Sequence, residues 1–183
     1  QIQPESYKFF SKLADGRGVV HKSELRKLIY YYQKVGDFMG FREDAFGILG
    51  YCYYYYGKPK ESLHAFEKAY QIESKFFWYS FDLGLLYYNQ HGYLKAAEYF
   101  KKAIEANIDF NLEYMLNSKI YLPILAQNLN AYSELKSNLK KGYFDAYQLI
   151  ILCYYHLEDY EQMRRYSGIA INASINNQEL FNA

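Results

Sequence analysis

The chain has 183 residues, of which 51% are hydrophobic and 22% charged, so it can bury a sizeable core and is not a disordered chain. Its formal net charge of +1 is too small to attract nucleic acid or an anionic membrane surface. The longest apolar stretches fall far short of the roughly 20 residues that span a bilayer. We therefore expect one folded unit without a transmembrane segment.

The first predicted element, residues 1–40, is an irregular helical hairpin. Its first helix is predicted from Glu5 to Ala14, and the stretch from Asp15 to Gly18 is typical of a turn. The second helix is predicted from Ser23 to Val35. Ser23 is the expected N-cap, because a serine hydroxyl can accept a hydrogen bond from the first turn.

A constant spacing of 34 residues relates the next two segments, 41–73 and 74–107. Small residues on one helix allow a second helix to approach closely, and rings fill the space between them. Each segment is therefore predicted to be a hairpin of two antiparallel helices. The pairs that keep the spacing are Leu49 and Leu83, Gly50 and Gly84, Tyr53 and Tyr87, Phe66 and Phe100, and Ala69 and Ala103.

The turns of these two hairpins are predicted at Gly57 to Pro59 and at His91 to Tyr93. Glycine commonly ends a helix and proline commonly opens one. The helix from Trp78 to Asn89 is apolar nearly all round, so it must be buried on every side or present an apolar face to a partner.

The remaining chain is predicted to hold a degraded repeat, 108–142, a last repeat, 143–173, and a capping segment, 174–183. Ala170 lies one residue short of two full periods beyond Ala103, so the intervening copy has lost a residue. Pro123 falls inside the predicted first helix of the degraded repeat, where a proline should kink or end the helix.

The pattern resembles the tetratricopeptide repeat (TPR) family over most of Phe41 to Ala173. That family places a Leu-Gly pair and a tyrosine on a first helix, followed by small, aromatic and alanine positions on a second. Ser62 and Ala96 hold the small position here. The resemblance implies an all-α, right-handed superhelical solenoid of about four antiparallel helix pairs.

The resemblance also implies a concave groove lined by the first helix of each repeat. The groove is expected to bind a peptide or helical segment of a partner protein, since Tyr, Trp and Met are common at interfaces. Carried over position by position, its lining is Tyr51, Tyr54, Tyr55, Trp78, Phe81, Leu85, Tyr88, Asn89, Met115, Lys119 and Tyr155.

Three other interpretations of these rings stay open. The rings could simply fill the core, or a second copy of the chain could fill the groove and make a homo-oligomer. Binding of single-stranded RNA by stacking is a third alternative, which the small net charge disfavours.

No catalytic motif accompanies this pattern. The four histidines are scattered, and neither the zinc-protease, nucleophile-elbow, P-loop nor dinucleotide fingerprint occurs. Cys52 and Cys153 lack metal-ligand spacing and are expected to be free core thiols. We therefore predict an interaction module that acts as a scaffold or assembly factor, is not an enzyme and needs no cofactor or metal. The sequence names neither its partner nor its compartment.

Overall fold

The computed structural model describes residues 21–117 and 130–176, and every secondary-structure element within these ranges is an α-helix. The two helices of residues 43–72 pack against each other as a hairpin, as do the two of residues 77–105, and the predicted all-α class is confirmed. In the described ranges no helix combines the length and apolar character that crossing a bilayer requires. The helices are α1 (Lys22–Phe38), α2 (Glu43–Tyr56), α3 (Pro59–Ile72), α4 (Phe77–Asn89), α5 (Tyr93–Glu105), α6 (Ile108–Asn117), α7 (Ala131–His156) and α8 (Tyr160–Asn176).

The chain divides into two compact units. The first unit contains the chain up to Lys75 together with Asp109–Ala131, and so holds α1, α2, α3 and nearly all of α6. The second unit contains Phe76–Ile108 and the chain from Tyr132 onward, and so holds α4, α5, α7 and α8. Helix α6 therefore belongs with the three helices at the start of the chain.

Glycine and phenylalanine set the distance between the paired helices of both predicted repeats. A Cβ atom on Gly50 would lie 2.6 Å from the Phe66 ring, and one on Gly84 would lie 2.6 Å from the Phe100 ring. Both rings are buried, with exposed fractions of 2% and 0%. The predicted close approach of the helices at these glycines is confirmed.

The turn of the first hairpin also agrees with its prediction. Gly57 ends α2 with a φ of 84°, and Pro59 occupies the first turn of α3. In the second hairpin the left-handed residue is His91, with a φ of 60°, and Gly92 is the N-cap of α5. Glu158, with a φ of 57°, has the same role between α7 and α8.

The start of α1 differs from the prediction. The helix begins at Lys22 and its N-cap is His21, which makes no side-chain cap bond. The backbone N–H groups of Glu24 and Leu25 both donate to the His21 carbonyl, at 3.0 and 3.2 Å. These bonds close the first turn before Ser23 can act as a cap, so Ser23 lies inside the helix.

Helix α7 runs without interruption across the predicted repeat boundary between residues 142 and 143. Gly142 is buried here, and a Cβ atom on it would lie 2.7 Å from the Phe77 ring and 2.9 Å from the Trp78 ring. The Tyr143 ring stacks on Phe77 at 4.4 Å, and its hydroxyl donates to the Ala106 carbonyl. A glycine followed by a tyrosine thus seats α7 against α4.

Several predictions fall outside the described residues. They concern the first helix from Glu5 to Ala14, the turn at Asp15 to Gly18, the effect of Pro123 and most of the cap at 174–183. The predicted division into repeats as a whole also stays a prediction.

Candidate functional site

The predicted groove residues of the first unit differ in how much surface they offer. Tyr54 and Tyr55 are 48% and 50% exposed, and their rings meet edge to face at 5.4 Å. Tyr51 is half-buried, with its ring packed edge to face against Phe66 at 5.0 Å. Met115 is only 2% exposed and lies in the core. Lys119 falls outside the described residues.

The predicted groove residues of α4, in the second unit, differ in exposure, and only the last of them is fully exposed. Trp78 is half-buried and its ring contacts Phe81 edge to face at 5.6 Å. Phe81 is 8% exposed, so its ring fills the core rather than forming a surface. Leu85 and Tyr88 are half-buried, and Asn89 is exposed. Accessible surface is therefore concentrated at the C-terminal end of α4.

The end of α4 meets the end of α7 in a cluster of tyrosine and histidine rings. The Tyr88 hydroxyl lies 3.2 Å from His156 Nε2, and the Tyr93 ring stacks on the His156 ring at 4.4 Å. Tyr155, 56% exposed, contacts the same imidazole edge to face at 5.8 Å. We call Tyr88, Tyr93, Tyr155 and His156 the tyrosine-histidine surface.

This surface combines apolar area with hydrogen-bonding groups. Burial raises the pKa of Tyr88, and Cys153 and Tyr93 add to the effect, so the Tyr88 hydroxyl stays protonated over the physiological pH range. His91 Nδ1 and the Tyr93 hydroxyl lie 2.9 Å apart at its edge. Across residues 21–117 and 130–176, no three His, Cys, Asp or Glu side chains are grouped closely enough to hold a metal ion. The arrangement is suited to recognition by ring faces and hydroxyl groups.

A concave region lies in the first unit, between the start of α2 and one face of α6. This acidic cleft has a volume of about 470 Å³ and is lined by Phe41, Arg42, Glu43, Asp44, Phe110, Glu113, Tyr114 and Asn117. Three of its lining residues are aromatic, three are acidic and one is basic.

The charges of the acidic cleft are only partly compensated. Arg42 donates through Nε to Asp44 Oδ1 at 2.7 Å and through Nη2 to Asp44 Oδ2. The bond to Asp44 raises the pKa of the Arg42 guanidinium. The Tyr114 hydroxyl donates to Glu43 Oε1 at 2.7 Å. Glu113 is exposed and has no ion-pair partner among the described residues.

Sequence reasoning missed the acidic cleft because it assigned the wrong face of α6 to the surface. Asn111, Leu112 and Met115 are the buried residues of α6, and the Asn111 side chain donates to the Lys75 carbonyl at 3.2 Å. The opposite face carries the cleft. Its residues, Phe110, Glu113, Tyr114 and Asn117, follow the i, i+3, i+4, i+7 spacing of one helix face, which was a readable signal.

Comparison with known proteins gives weak likenesses only. No protein-family model matches the chain, and no curated protein matches it. A solved structure described as "Crystal structure of MamA" is 19% identical, with a TM-score of 0.46 over 98% of this chain and 99% of that one. Another, described as "Crystal structure of MamA protein", is 19% identical, with a TM-score of 0.45 over 97% of this chain and 96% of that one.

Proposed function

We propose that this protein is an interaction module that binds a peptide or helical segment of a partner protein, as a scaffold or assembly factor does. The proposal rests on the contact between Tyr88 and His156, in which the Tyr88 hydroxyl lies 3.2 Å from His156 Nε2, within hydrogen-bond distance. They are 68 residues apart in the sequence and lie at the C-terminal ends of α4 and α7. This contact and the stacking of Tyr93 on His156 support a shared surface at the ends of α4 and α7.

The exposed side chains around that meeting point suit a protein partner. Tyr155 is 56% exposed and Leu152, one turn earlier on α7, is 43% exposed. Tyrosine gives large contact area at low conformational-entropy cost, and its hydroxyl can fix the orientation of a bound backbone. The neighbouring polar groups on His156 and Asn89 supply further hydrogen bonds at the rim.

RNA binding by stacking is less well supported at this surface. The Tyr93 and His156 rings lie nearly parallel, 11° apart, and already cover each other's faces. A base could therefore stack only on the outward face of either ring. The near-neutral net charge also provides no general attraction for phosphate.

The test uses a matched pair of tyrosines that flank the turn between α7 and α8. Tyr155→Ala removes a ring of the tyrosine-histidine surface, whereas Tyr160→Ala removes a ring of similar exposure, 49%, from outside it. Partners are captured from the native cell with wild type and both variants, and the affinity of each captured protein is then measured by calorimetry. We expect Tyr155→Ala to cost about 1–2 kcal/mol of binding free energy and Tyr160→Ala to cost little.

Equal losses in the two variants would contradict the proposal. Light scattering of the purified chain at two concentrations identifies self-association, which would assign the surface to a second copy. Binding of an oligonucleotide that weakens steeply with salt would assign the surface to RNA.

A further inference from the structure

The acidic cleft of the first unit has aromatic walls. The Phe110 and Tyr114 rings lie 6.1 Å apart and are tilted by 32°, and the Phe41 side chain on the other side is 70% exposed. The faces of aromatic rings carry partial negative charge and attract cations within about 6 Å of the ring centre. Lys75 Nζ lies 5.9 Å from the Phe110 ring centroid, which is an intramolecular cation–π contact of this kind.

The carboxylates of the cleft add to the same preference. Asp44 is neutralised by Arg42, so the remaining negative charges are those of Glu43 and Glu113. Glu43 Oε1 accepts the Tyr114 hydroxyl, which fixes that carboxylate next to the ring. Because the cleft holds three acidic groups against one basic group, an anion is a poor occupant and a cation is a favourable one.

We propose that the acidic cleft binds a basic side chain, arginine or lysine, of the partner protein. The proposal rests on the proposed function, since a bound partner segment must supply the side chain. The cleft volume of about 470 Å³ falls within the roughly 300–1,000 Å³ of small-ligand pockets, which is ample for one long side chain. The alkyl part of the side chain lies against the rings, and its charged end reaches Glu43 and Glu113.

The first experiment measures binding of small cations to the full chain by NMR, observed at the ring signals of Phe110 and Tyr114. The probes are N-acetyl-arginine amide, N-acetyl-lysine amide and the neutral arginine isostere N-acetyl-citrulline amide. We expect both cations to shift the ring signals saturably, with weaker binding at higher salt. The citrulline probe should not bind. Equal binding of the citrulline probe, or no ring shift with either cation, would overturn the proposal.

Two variants with the same change of charge locate the effect. Glu113→Gln removes a carboxylate from the cleft, and Glu98→Gln removes an exposed carboxylate from α5 in the second unit. Glu113→Gln should weaken binding of the arginine probe about threefold to fivefold, the size of an exposed ion pair. Glu98→Gln should leave the affinity unchanged. An equal effect of both variants would mean a general attraction of the chain for cations and would overturn the cleft assignment.

Measuring the binding of both the partner and the probes distinguishes this proposal from the proposed function. If Tyr155→Ala loses a partner but no probe binds at the cleft, the cleft proposal is wrong and the proposed function stands. Probe binding with no effect of Tyr155→Ala on any partner contradicts the tyrosine-histidine surface as the partner site and leaves the cleft proposal standing. The cleft proposal also fails if the cleft binds the probes but Glu113→Gln leaves partner affinity unchanged, or if Glu113→Gln only weakens a dimer of this chain in light scattering.

Discussion

Two hairpins, α2–α3 and α4–α5, share the same packing between their helices. Equivalent residues in the two hairpins nevertheless contact different partners. In both, a glycine on the first helix receives a buried phenylalanine ring from the second. The Tyr53 hydroxyl accepts a hydrogen bond from Gln33 Nε2 at 2.6 Å, whereas its equivalent Tyr87 stacks on Tyr99 at 5.5 Å. The repeat therefore fixes the distance between helices, and the surroundings decide how each tyrosine is held.

The small position on the second helix differs as well. Ser62 donates through its hydroxyl to the Gly50 carbonyl at 2.8 Å and is fully buried. Its equivalent Ala96 is also fully buried but has no group to donate. A buried alanine keeps the close approach of the helices, so the hydrogen bond is an addition to the first hairpin and not a requirement of the fold.

The largest expected effect concerns the contact between a glycine and a buried phenylalanine ring, which both hairpins share. Gly50→Ala and Gly84→Ala each place a Cβ atom 2.6 Å from a buried ring, so we expect each to lower the free energy of unfolding by about 1–3 kcal/mol. Gly168→Ala in α8 is the matched control, because nothing lies within 4 Å of its added Cβ. This control should stabilise the chain by about 0.5–1 kcal/mol through helix propensity. Urea unfolding followed by circular dichroism measures all three; a stabilising Gly50→Ala or Gly84→Ala would break the comparison.

The next largest effect on the free energy of unfolding is expected at the turns that follow α2 and α7. Gly57→Ala places an alanine at a φ of 84°, so it should cost about 1–2 kcal/mol of unfolding free energy. Glu158 is a non-glycine residue at a φ of 57°, so Glu158→Gly should remove backbone strain from the turn between α7 and α8. The relief is partly offset by the greater freedom of glycine in the unfolded chain, so the net gain should be about 0.5–1 kcal/mol. Thermal and urea unfolding should show opposite signs for the two changes, and a common sign would contradict equivalent turns.

The serine hydroxyl distinguishes the two hairpins by a smaller amount. Ser62→Ala removes one hydrogen bond with little change of shape, which should cost about 0.5–1.5 kcal/mol. Ala96→Ser is the reciprocal change in the second hairpin. If the Gly84 carbonyl can accept this hydroxyl, the free energy of unfolding should stay within about 0.5 kcal/mol of wild type; a loss of about 1–3 kcal/mol would mean a buried hydroxyl without a partner. Urea unfolding of both variants sharpens the comparison.

The two cysteines, which precede the repeat tyrosines of α2 and α7, test burial in the two units without any substitution. Burial raises the pKa of both Cys52 and Cys153 to about 12. Since the thiolate is the reactive form, alkylation by iodoacetamide in the folded chain should be slow at pH 8 and should rise with pH toward about 12. In urea the same cysteines should react with a pKa near the ordinary value. Peptide mass spectrometry gives each rate separately, and fast labelling at pH 8 of one cysteine in the absence of urea would indicate local opening of its unit.

The sequence predicted the paired helices well because their determinants are local. The Gly50 and Phe66 contact and the turn at Gly57 depend on residue types whose conformations and sizes are fixed in advance. The long helix α7 was not predicted, because Gly142 and Tyr143 look like a break between repeats when read alone. In the fold they are packing residues against Phe77.

The candidate site was less predictable for the same reason. Phe81 and Met115 are apolar residues at expected groove positions, and the fold buries both. Which face of a helix is buried depends on distant partners, such as the Lys75 carbonyl that receives the Asn111 amide. The periodicity of α6 was visible in the sequence, but the direction of its core face was not.

The interleaving of the two units has a consequence for synthesis of the chain. Residues of the first unit come before and after Phe76–Ile108, which belongs to the second unit. A ribosome therefore produces α4 and α5 before the first unit can receive α6, and no single cut in the chain would release either unit with all of its helices. Domains usually fold as units when they emerge in order, so the first unit can be completed only after α4, α5 and α6 have been synthesised.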